Sequence, residues 1–468
     1  MRLNAILIIV LGLALALAMS GTNDLLGAFA VAVFALGVFV LWRPDVSPVF
    51  MFVFVYQWMQ ASMKIFQADV LAVPINEVSQ FGGNLELATA LSLAGLAALA
   101  IGMRTGLTWG TAGVASTFRL DDKPPLYWFW AYAVAFAVSF ASQQLAYTVP
   151  GLSQPLLALA SLKWAFYWLL AHVAIRRGGV VRWLWVGTFV LELGLGVTGY
   201  FSDFKTVLFF TLFALLSSGI RISGVRLLGM TVLFLIAALM AIAWTAIKVE
   251  QRRFLSTEEN AQVVNVSTFD SLRNLVELAS HLDAAAMVNA TDRLAARIAY
   301  VDFFAKVLDT VPEDIPYENG AIWADAVARP FMPRILFPSK TAIDDSERTN
   351  TFTRLNVMGM EEGVSISLGY MAESYIDFGP YLMVLPVLLL GALFGWFYRW
   401  LVDGRAGHRM VNIGLASAVL FPAAYLETSI TKLFGGLIVA ALVAWIISRF
   451  LVPMLFAQRP AAVKVLRP

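Results

Sequence analysis

The chain has 468 residues, of which 60% are hydrophobic and 14% are charged, with a formal net charge of +2. Soluble domains average about 45–50% apolar and about 25% charged residues, so this composition excludes an ordinary soluble globular protein. The chain contains no cysteine and only three histidines, which lie far apart. Disulfides and thiolate metal ligands are therefore excluded, and neither a histidine-based metal site nor a cofactor is expected.

The excess apolar residues occur in blocks of about 17–23 residues, long enough to cross the ~30 Å core of a bilayer as helices. In chain order they predict twelve spans, at 3–19, 25–42, 48–66, 86–103, 126–148, 156–175, 183–200, 206–220, 227–247, 380–398, 411–426 and 433–448. The first could be mistaken for a signal peptide, but the spans that follow favour an uncleaved helix. We therefore predict an all-α polytopic membrane protein, with nine spans in 1–248, a large loop domain at 249–379, and three spans and a tail in 380–468.

The Lys and Arg residues outside the spans predict the orientation, because cytoplasmic loops are enriched in these cations. With the N-terminus in the cytoplasm, the inner segments hold 17 cations, whereas the short outer loops hold only Lys205 and Lys432. The inner cations are Arg2, Arg43, Arg104, Arg119, Lys123, Arg176, Arg177, Arg182, Arg221, Arg226, Arg399, Arg405, Arg409, Arg449, Arg459, Lys464 and Arg467. Both termini are therefore predicted to be cytoplasmic, and the 249–379 segment to be periplasmic in a Gram-negative cell.

The 249–379 segment differs in composition from the rest of the chain. It holds 11 of the 33 Lys and Arg residues and 20 of the 31 Asp and Glu residues, for a local charge of −9. At about 130 residues it is too long for a passive connection. Apolar spacing predicts amphipathic helices at 270–288 and 292–309, with Thr291 as the N-cap of the second. Beyond them, 312–339 reads as a loop rich in Pro, Gly and aromatic residues.

Cations of this segment are candidate ligands for phosphate, because guanidinium groups match phosphate oxygens and Lys adds a point charge. Arg293 and Arg297 are four residues apart and share a helix face, whereas Arg334 lies in a proline-stiffened stretch. The alternative for each is an ordinary surface salt bridge in an acidic segment. The full set is Arg252, Arg253, Arg293, Arg297, Arg329, Arg334 and Lys340.

Four further ionisable residues stand out. Lys205 is either a substrate ligand or a lysine that snorkels from a helix end, and Glu373 is either a general base toward a sugar hydroxyl or a solvated or capping acid. Lys163 and Glu192 lie inside two neighbouring predicted spans at matched depth. Because intramembrane charges are costly, we predict that these two pair, either as a structural pair or as the lining of a lipid-phosphate groove.

Five stretches, in this order and spacing and before the last few spans, resemble a known family. They are TGYFSDFK at 198–205, DRLAAR at 292–297, TVPEDIPYENG at 310–320, FMPRILFPSK at 331–340 and SISLGYMAESYIDFG at 365–379. Together they resemble the Wzy-type polymerases of O-antigen and exopolysaccharide repeat units. The likeness covers about 200–380, and the other spans match only in architecture.

The resemblance implies a metal-independent glycosyltransferase of the bacterial inner membrane, with its active site facing the periplasm. Donor and acceptor would both be oligosaccharides on undecaprenyl diphosphate. A flippase and a chain-length regulator would be partners, and nucleic acid would not. Cations would stabilise the leaving diphosphate. The implied catalytic residues are Arg297, Arg334 and Glu373, and the implied substrate ligands are Lys205, Arg252, Arg253, Arg293, Tyr317, Lys340 and Tyr370.

Three alternatives remain at this stage. An O-antigen ligase shares the topology and the use of arginines. A lipid-linked oligosaccharide flippase or secondary transporter would show internal repeats, broken helices and midplane charges. A structural subunit of a polysaccharide export system would need no catalytic or substrate-binding site.

Overall fold

A computed structural model describes residues 12–43, 46–109, 123–198, 204–219, 224–255, 266–332, 336–337, 339–341, 343–359, 364–403 and 408–456. Within these residues the protein is all-helical, and no strand occurs among them. The first half of the chain contains α1 (Asp24–Leu41), α2 (Val49–Leu71), α3 (Leu85–Gly106), α4 (Pro125–Thr148), α5 (Ser153–Ser161), α6 (Lys163–Arg177), α7 (Val180–Thr198), α8 (Phe204–Ser217) and α9 (Gly224–Leu255).

The second half of the chain is also helical in its described residues. The 249–379 segment contains α10 (Thr268–Ser280), α11 (Ala284–Ile298), α12 (Asp302–Thr310), α13 (Ala321–Ala328) and α14 (Asp345–Thr353). The rest of the chain contains α15 (Tyr370–Leu382), α16 (Val384–Val402), α17 (Arg409–Leu420), α18 (Ile430–Ile446) and α19 (Val452–Phe456).

Eight helices among the described residues are long and apolar enough to cross a membrane, so the class of fold is confirmed at this level. They are Asp24–Leu41, Val49–Leu71, Leu85–Gly106, Pro125–Ala146, Ser153–Arg177, Val180–Val197, Val384–Val402 and Ile430–Met454. Two further predicted spans correspond to the shorter apolar helices Phe204–Ser217 and Arg409–Ala424. The span predicted at 227–247 lies within α9, and most of the one at 3–19 lies outside the described residues.

Helices α3 and α16 pack closely against each other, and four glycines allow it. A Cβ atom on Gly102 or Gly106 would lie 2.0 Å from a carbonyl oxygen of α16, and one on Gly391 or Gly395 would lie 2.3 or 2.2 Å from a carbonyl oxygen of α3. Each pair is spaced four residues apart, which is the small-residue spacing of tightly packed membrane helices. Larger side chains at these positions would force the helices apart, and α15, which leads into α16, would move with them.

The 249–379 segment is anchored on this bundle by buried polar contacts. Lys64 of α2 forms an ion pair of 3.3 Å with Asp302, and both side chains are almost fully buried. Asp302 also accepts a hydrogen bond of 2.8 Å from the backbone N–H of Gln80. Gly83 packs so closely on α12 that a Cβ there would lie 2.5 Å from the carbonyl oxygen of Ala305. These contacts hold the N-terminus of α12 against the loop between α2 and α3.

The predicted amphipathic helices exist, but their boundaries were wrong. The first ends at Ser280, because Asp283 accepts a hydrogen bond from the N–H of Ala286 and starts α11 there. Thr291 is therefore an interior residue of α11 and not an N-cap. The continuous helix predicted at 292–309 is interrupted between α11 and α12, where Asp302 bonds to residues distant in sequence.

The loop predicted at 312–339 also contains a helix. The first N–H groups of α13 are satisfied by Asp377, whose carboxylate accepts hydrogen bonds of 3.2 Å from Ile322 and 2.8 Å from Trp323. Helix ends need such partners, and here the partner lies more than 50 residues away. Local sequence signals could not reveal it.

The predicted intramembrane pair is confirmed. Lys163 Nζ lies 2.9 Å from Glu192 Oε2, and the Tyr132 hydroxyl donates to the other carboxylate oxygen. The Lys163 ammonium also lies 4.6 Å from the ring centroid of Trp164. The span predicted at 156–175 lies within the candidate span Ser153–Arg177, in which a turn at Leu162 separates α5 from α6, so that Lys163 is the first residue of α6.

Candidate functional site

The turn between α17 and α18 is held against α2 by hydrogen bonds. The Gln60 side chain accepts a hydrogen bond of 2.9 Å from the N–H of Leu426 and donates one of 2.6 Å to Glu427 Oε2. The N–H of Tyr370 donates to the carbonyl oxygen of Thr428 at 3.0 Å. The turn is thereby tied both to a candidate span and to the start of α15.

Four cations lie on two helices that contact each other. Lys248 and Arg252 lie on α9, Arg293 and Arg297 lie on α11, and the two helices are in contact. Burial, followed by the positive charges of Arg297, Arg252 and Arg293, lowers the pKa of Lys248 from 10.5 to about 8. We call these four residues the cation cluster. Their mutual repulsion identifies a place where a bound anion would be stabilised.

Arg293 and Arg297 make no hydrogen bond or ion pair with any described residue, and both are exposed. Other arginines of the 249–379 segment are paired, for example Arg329 with Asp325 at 2.7 Å and Arg348 with Glu373 at 2.7 Å. The alternative of ordinary salt bridging therefore applies to Arg329. Within the described part of the chain, Arg293 and Arg297 present guanidinium groups without a carboxylate.

Aromatic residues connect Lys205 to the turn between α17 and α18 and to α2. The Lys205 ammonium lies 4.8 Å from the ring centroid of Tyr425, and that ring packs edge-on against Tyr56 at 5.6 Å. The Tyr56 hydroxyl is in turn within the field of both Arg297 and Glu427. Lys205, the last residue of the 198–205 stretch, is therefore placed against the turn between α17 and α18, more than 200 residues away in sequence.

Tyr300 forms one wall of the site. Its hydroxyl donates to the carbonyl oxygen of Ser367, which fixes the ring. Burial, followed by the negative charges of Glu427 and Asp345, raises the pKa of the Tyr300 hydroxyl well above its usual value, whereas the Ser367 hydrogen bond and Arg297 act in the opposite direction. The hydroxyl is therefore neutral and serves as a hydrogen-bond donor at physiological pH.

An open cleft of about 400 Å³ lies beside the cation cluster. We call it the aromatic cleft, because three rings form its wall: Phe81 lies 5.0 Å from Phe303, and Tyr300 lies 5.2 Å from Phe303. Arg293, Arg297, Asp292 and Gln80 supply its polar groups. The aromatic rings can pack against the CH faces of a ligand, and the guanidinium and carboxylate groups can bind its phosphate or hydroxyl groups.

Glu373 occupies a different setting. It is 1% exposed, its Oε1 accepts a bond of 2.7 Å from Arg348, and its Oε2 accepts one of 2.6 Å from the N–H of Ile430. Burial raises the pKa of this carboxyl, and Arg348 and the Ile430 N–H oppose that shift. Both oxygens are thus occupied, one of them at the N-terminus of α18. This arrangement suits a structural carboxylate better than a general base.

The remaining predicted residues are dispersed. Tyr370 is fully buried and donates to Gln57 Oε1 at 2.6 Å, so its ring is not available to stack on a sugar. Lys340 donates to the carbonyl oxygens of Arg329 and Met332 and thereby closes a turn. Tyr317 packs against the Tyr375 ring at 5.8 Å.

Two predicted cations complete the set. Arg253 is exposed near the end of α9. Arg334, like Asp203 of the 198–205 stretch, lies outside the described residues. In the described ranges, no group of three or more His, Cys, Asp or Glu side chains is placed to hold a metal ion.

Two charged residues, Glu427 and Arg348, were not among the residues predicted from the sequence. Glu427 belongs to the short connection between two predicted spans, and its hydrogen bond with Gln60 of α2 follows only from the fold. Arg348, the partner of Glu373, was not among the candidate cations. A signal for Glu427 exists in hindsight, since it is the only acidic residue between 404 and 468.

These features define the class of protein: the described residues are all-helical, eight helices among them are able to cross a membrane, and a cation cluster lies where α9 contacts α11 of the 249–379 segment. By sequence, the chain belongs to the family described as a domain of unknown function (DUF8712), whose model matches residues 90–400. No curated protein matches the chain. No solved structure matches it either.

Proposed function

We propose that this protein polymerises undecaprenyl-diphosphate-linked oligosaccharide repeat units into a bacterial surface polysaccharide. The observation that carries the proposal is the cation cluster, in which Arg293 and Arg297 make no ion pair with a described residue beside a lysine of lowered pKa. Such an arrangement is electrostatically unfavourable until an anion binds. A diphosphate at the head of a lipid carrier supplies that anion.

The chemistry matches the charge distribution. A hydroxyl oxygen of the acceptor glycan attacks the anomeric carbon of the donor, the bond from that carbon to the diphosphate oxygen breaks, and the lipid diphosphate leaves with the electron pair. Negative charge grows on the leaving group, and fixed guanidinium groups stabilise it without reorganisation. Arg297 and Arg293 take this role, with Lys248, Arg252 and Lys205 in support. Arg334 stays a predicted catalytic residue.

The aromatic cleft supports a glycan as the rest of the substrate. Sugar rings present CH faces that pack on aromatic rings, and their hydroxyl groups form hydrogen bonds with Asp, Gln and Arg side chains. Phe81, Tyr300 and Phe303 offer the rings, and Asp292 and Gln80 offer polar groups. Because Arg293 and Arg297 also line the cleft, a diphosphate bound to them would place an attached glycan alongside the rings.

We further propose that the protein spans the bacterial inner membrane twelve times, with both termini in the cytoplasm and the 249–379 segment in the periplasm. Contacts between loops support this orientation. Lys432 pairs with Asp345 at 2.6 Å, and Lys64 near one end of α2 pairs with Asp302. On the opposite side, the N–H of Ser47 donates to the Tyr398 hydroxyl. Each contact joins segments that the charge distribution assigns to one side of the membrane.

The function is tested by deleting the gene in its own host and sizing the lipid-linked glycans extracted from the membrane. We expect single repeat units on the carrier to accumulate, and plasmid-borne wild-type protein to restore long chains. An Arg297→Ala variant should fail to restore them while reaching the membrane in normal amount. Full-length polymer stranded on the carrier would contradict the proposal and indicate a ligase. An unchanged glycan profile would contradict glycosyl transfer altogether.

A further inference from the structure

Helix α10, the first helix of the 249–379 segment, has large apolar side chains on its outer surface. Phe269, Leu272 and Val276 are 75%, 40% and 69% exposed. Their spacing of three and four residues places them on one side of the helix, and we call these three residues the apolar face. Exposed apolar side chains that are grouped on one side, rather than scattered singly, mark a contact surface.

The opposite side of α10 is attached to the C-terminal end of α9. Ser271 and Leu275 are buried there. The buried Gln251 of α9 donates a hydrogen bond of 3.1 Å from Nε2 to Ser271 Oγ, and the Asn274 amide donates one of 2.6 Å to Gln251 Oε1. These contacts fix the rotation of α10 about its axis, so that the apolar face is turned away from α9.

The predicted span at 227–247 places this attachment at the height of the lipid headgroups. The charge-free run of the span is followed directly by Lys248, and α9 continues as one helix to Leu255. Gln251 therefore lies about 6 Å beyond the predicted edge of the hydrocarbon core. The headgroup layer on each side of a bilayer is about 5–8 Å thick, so α10 is anchored within that layer.

A second helix of the bundle also touches α10. Helix α10 contacts α7, in which Val180–Val197 is long and apolar enough to cross a membrane. The charge distribution assigns the C-terminal ends of α7 and α9 to the same side of the membrane. Exposed apolar residues of α7, among them Val190 and Leu195, suit it to contact lipid. The bilayer around α7 therefore extends to the helix that lies against it.

We propose that α10 lies in the surface of the bilayer and that its apolar face inserts among the lipids. Amphipathic helices bind in this way, with the apolar side buried about 5–10 Å into the boundary between headgroups and acyl chains. The charged side chains of α10 are two acids and one base: Asp270, Glu277 and Arg273. Attraction to anionic lipids is therefore not the driving force, and insertion is expected in zwitterionic lipid as well.

The test uses full-length protein in phosphatidylcholine vesicles. Because the chain contains no cysteine, one introduced cysteine carries a nitroxide spin label at a single chosen position. Labels at Phe269→Cys, Leu272→Cys and Val276→Cys are compared with Glu277→Cys, an exposed position on the flank of the same helix, and with Val190→Cys as the lipid reference. Collisions with oxygen, which concentrates among acyl chains, and with a water-soluble nickel chelate, which is excluded from them, report the surroundings of each label.

We expect the ratio of oxygen to nickel collisions to be several-fold higher at all three positions of the apolar face than at Glu277→Cys, and closer to the ratio at Val190→Cys. A ratio on the apolar face equal to that at Glu277→Cys would show that water covers it and would overturn the proposal. Shielding of the three labels from both reagents would show that protein covers the face instead. Dipolar broadening between labels of two molecules would identify that protein as a second copy, and either result would overturn the proposal.

Discussion

Two groups of arginines in the same acidic segment have opposite environments. Arg329 and Arg348 are paired with carboxylates at 2.7 Å, and Arg354 is paired with Asp314 at 2.9 Å. Arg293 and Arg297 have no such partner among the described residues, although acids outnumber bases 20 to 11 in 249–379. Local composition therefore does not decide whether a cation is compensated. The fold does, because it turns one face of α11 toward α9 and its cations.

This difference indicates different roles. A paired cation stabilises the fold, and its loss leaves a carboxylate without a partner. An unpaired cation that repels its neighbours makes no such contribution, and its removal should cost the fold little or even stabilise it. Substitutions in the two groups should thus separate stability from activity.

The largest effect is expected for the paired charges inside the bundle. Lys163→Glu would place two carboxylates together, where Glu192 is 3% exposed. Breaking a buried pair costs about 3–5 kcal/mol, so we expect this variant to disappear from the membrane fraction. The exchange Lys163→Glu/Glu192→Lys should restore part of the protein, as measured by fluorescence-detected size-exclusion chromatography. Equal loss in both variants would contradict the pairing as a source of stability.

A smaller loss of stability is expected at Glu373. Glu373→Gln removes the charge that compensates Arg348 and weakens the hydrogen bond to Ile430, which should cost about 2–3 kcal/mol and lower the melting temperature in detergent. Lys306→Ala, which breaks the exposed pair with Asp309, is the control and should cost less than about 1 kcal/mol. Normal stability of Glu373→Gln combined with lost turnover would instead make Glu373 the base.

Substitution of an unpaired arginine should lower activity without lowering stability. Arg297→Ala should lower the rate of polymer formation by about 10²–10³-fold, the usual loss when one group that stabilises a developing negative charge is removed. Its melting temperature should equal or exceed that of the wild type, since like-charge repulsion is relieved. Arg273→Ala, at an exposed position on α10, should change neither quantity. A destabilised Arg297→Ala would contradict the assignment of Arg297 to the unpaired group.

The smallest effect concerns pH. Lys248 has a pKa of about 8, so it is positively charged below pH 8 and loses its charge as the pH rises through that value. Binding of a lipid-linked glycan, whose diphosphate diester does not titrate there, should therefore weaken several-fold between pH 7 and pH 9. In Lys248→Met the affinity should be lower at pH 7 and flat over this range. A wild-type affinity that is constant from pH 7 to pH 9 would remove Lys248 from the binding site.

Much of the fold could be predicted from the sequence, because membrane spans are encoded by long local runs of apolar residues. The same holds for the Lys163–Glu192 pair, since helix rise alone matches the depths of the two residues. Contacts between distant segments could not be predicted. Asp377 starts α13, and Asp302 interrupts the helix predicted at 292–309, through partners that no local pattern identifies.

The site could be predicted only in part, for the same reason. Helical spacing placed Arg293 and Arg297 on one face, and the structure brings Lys248 and Arg252 to that face. Tyr370 and Lys340 carry suitable chemical groups, but the protein uses them internally. Glu427 escaped notice because its hydrogen-bond partner, Gln60, lies on α2, more than 360 residues away in sequence, so that its environment depends entirely on tertiary structure.

The most direct test of the central claim is the affinity of the purified protein for undecaprenyl diphosphate, compared with that of an Arg293→Gln/Arg297→Gln variant. Each charge-assisted contact is worth about 1.5–3 kcal/mol, and partial overlap of the two contributions leads us to expect affinity at least ~100-fold weaker, with an unchanged melting temperature. Equal affinity of the two proteins for the lipid diphosphate would contradict the account.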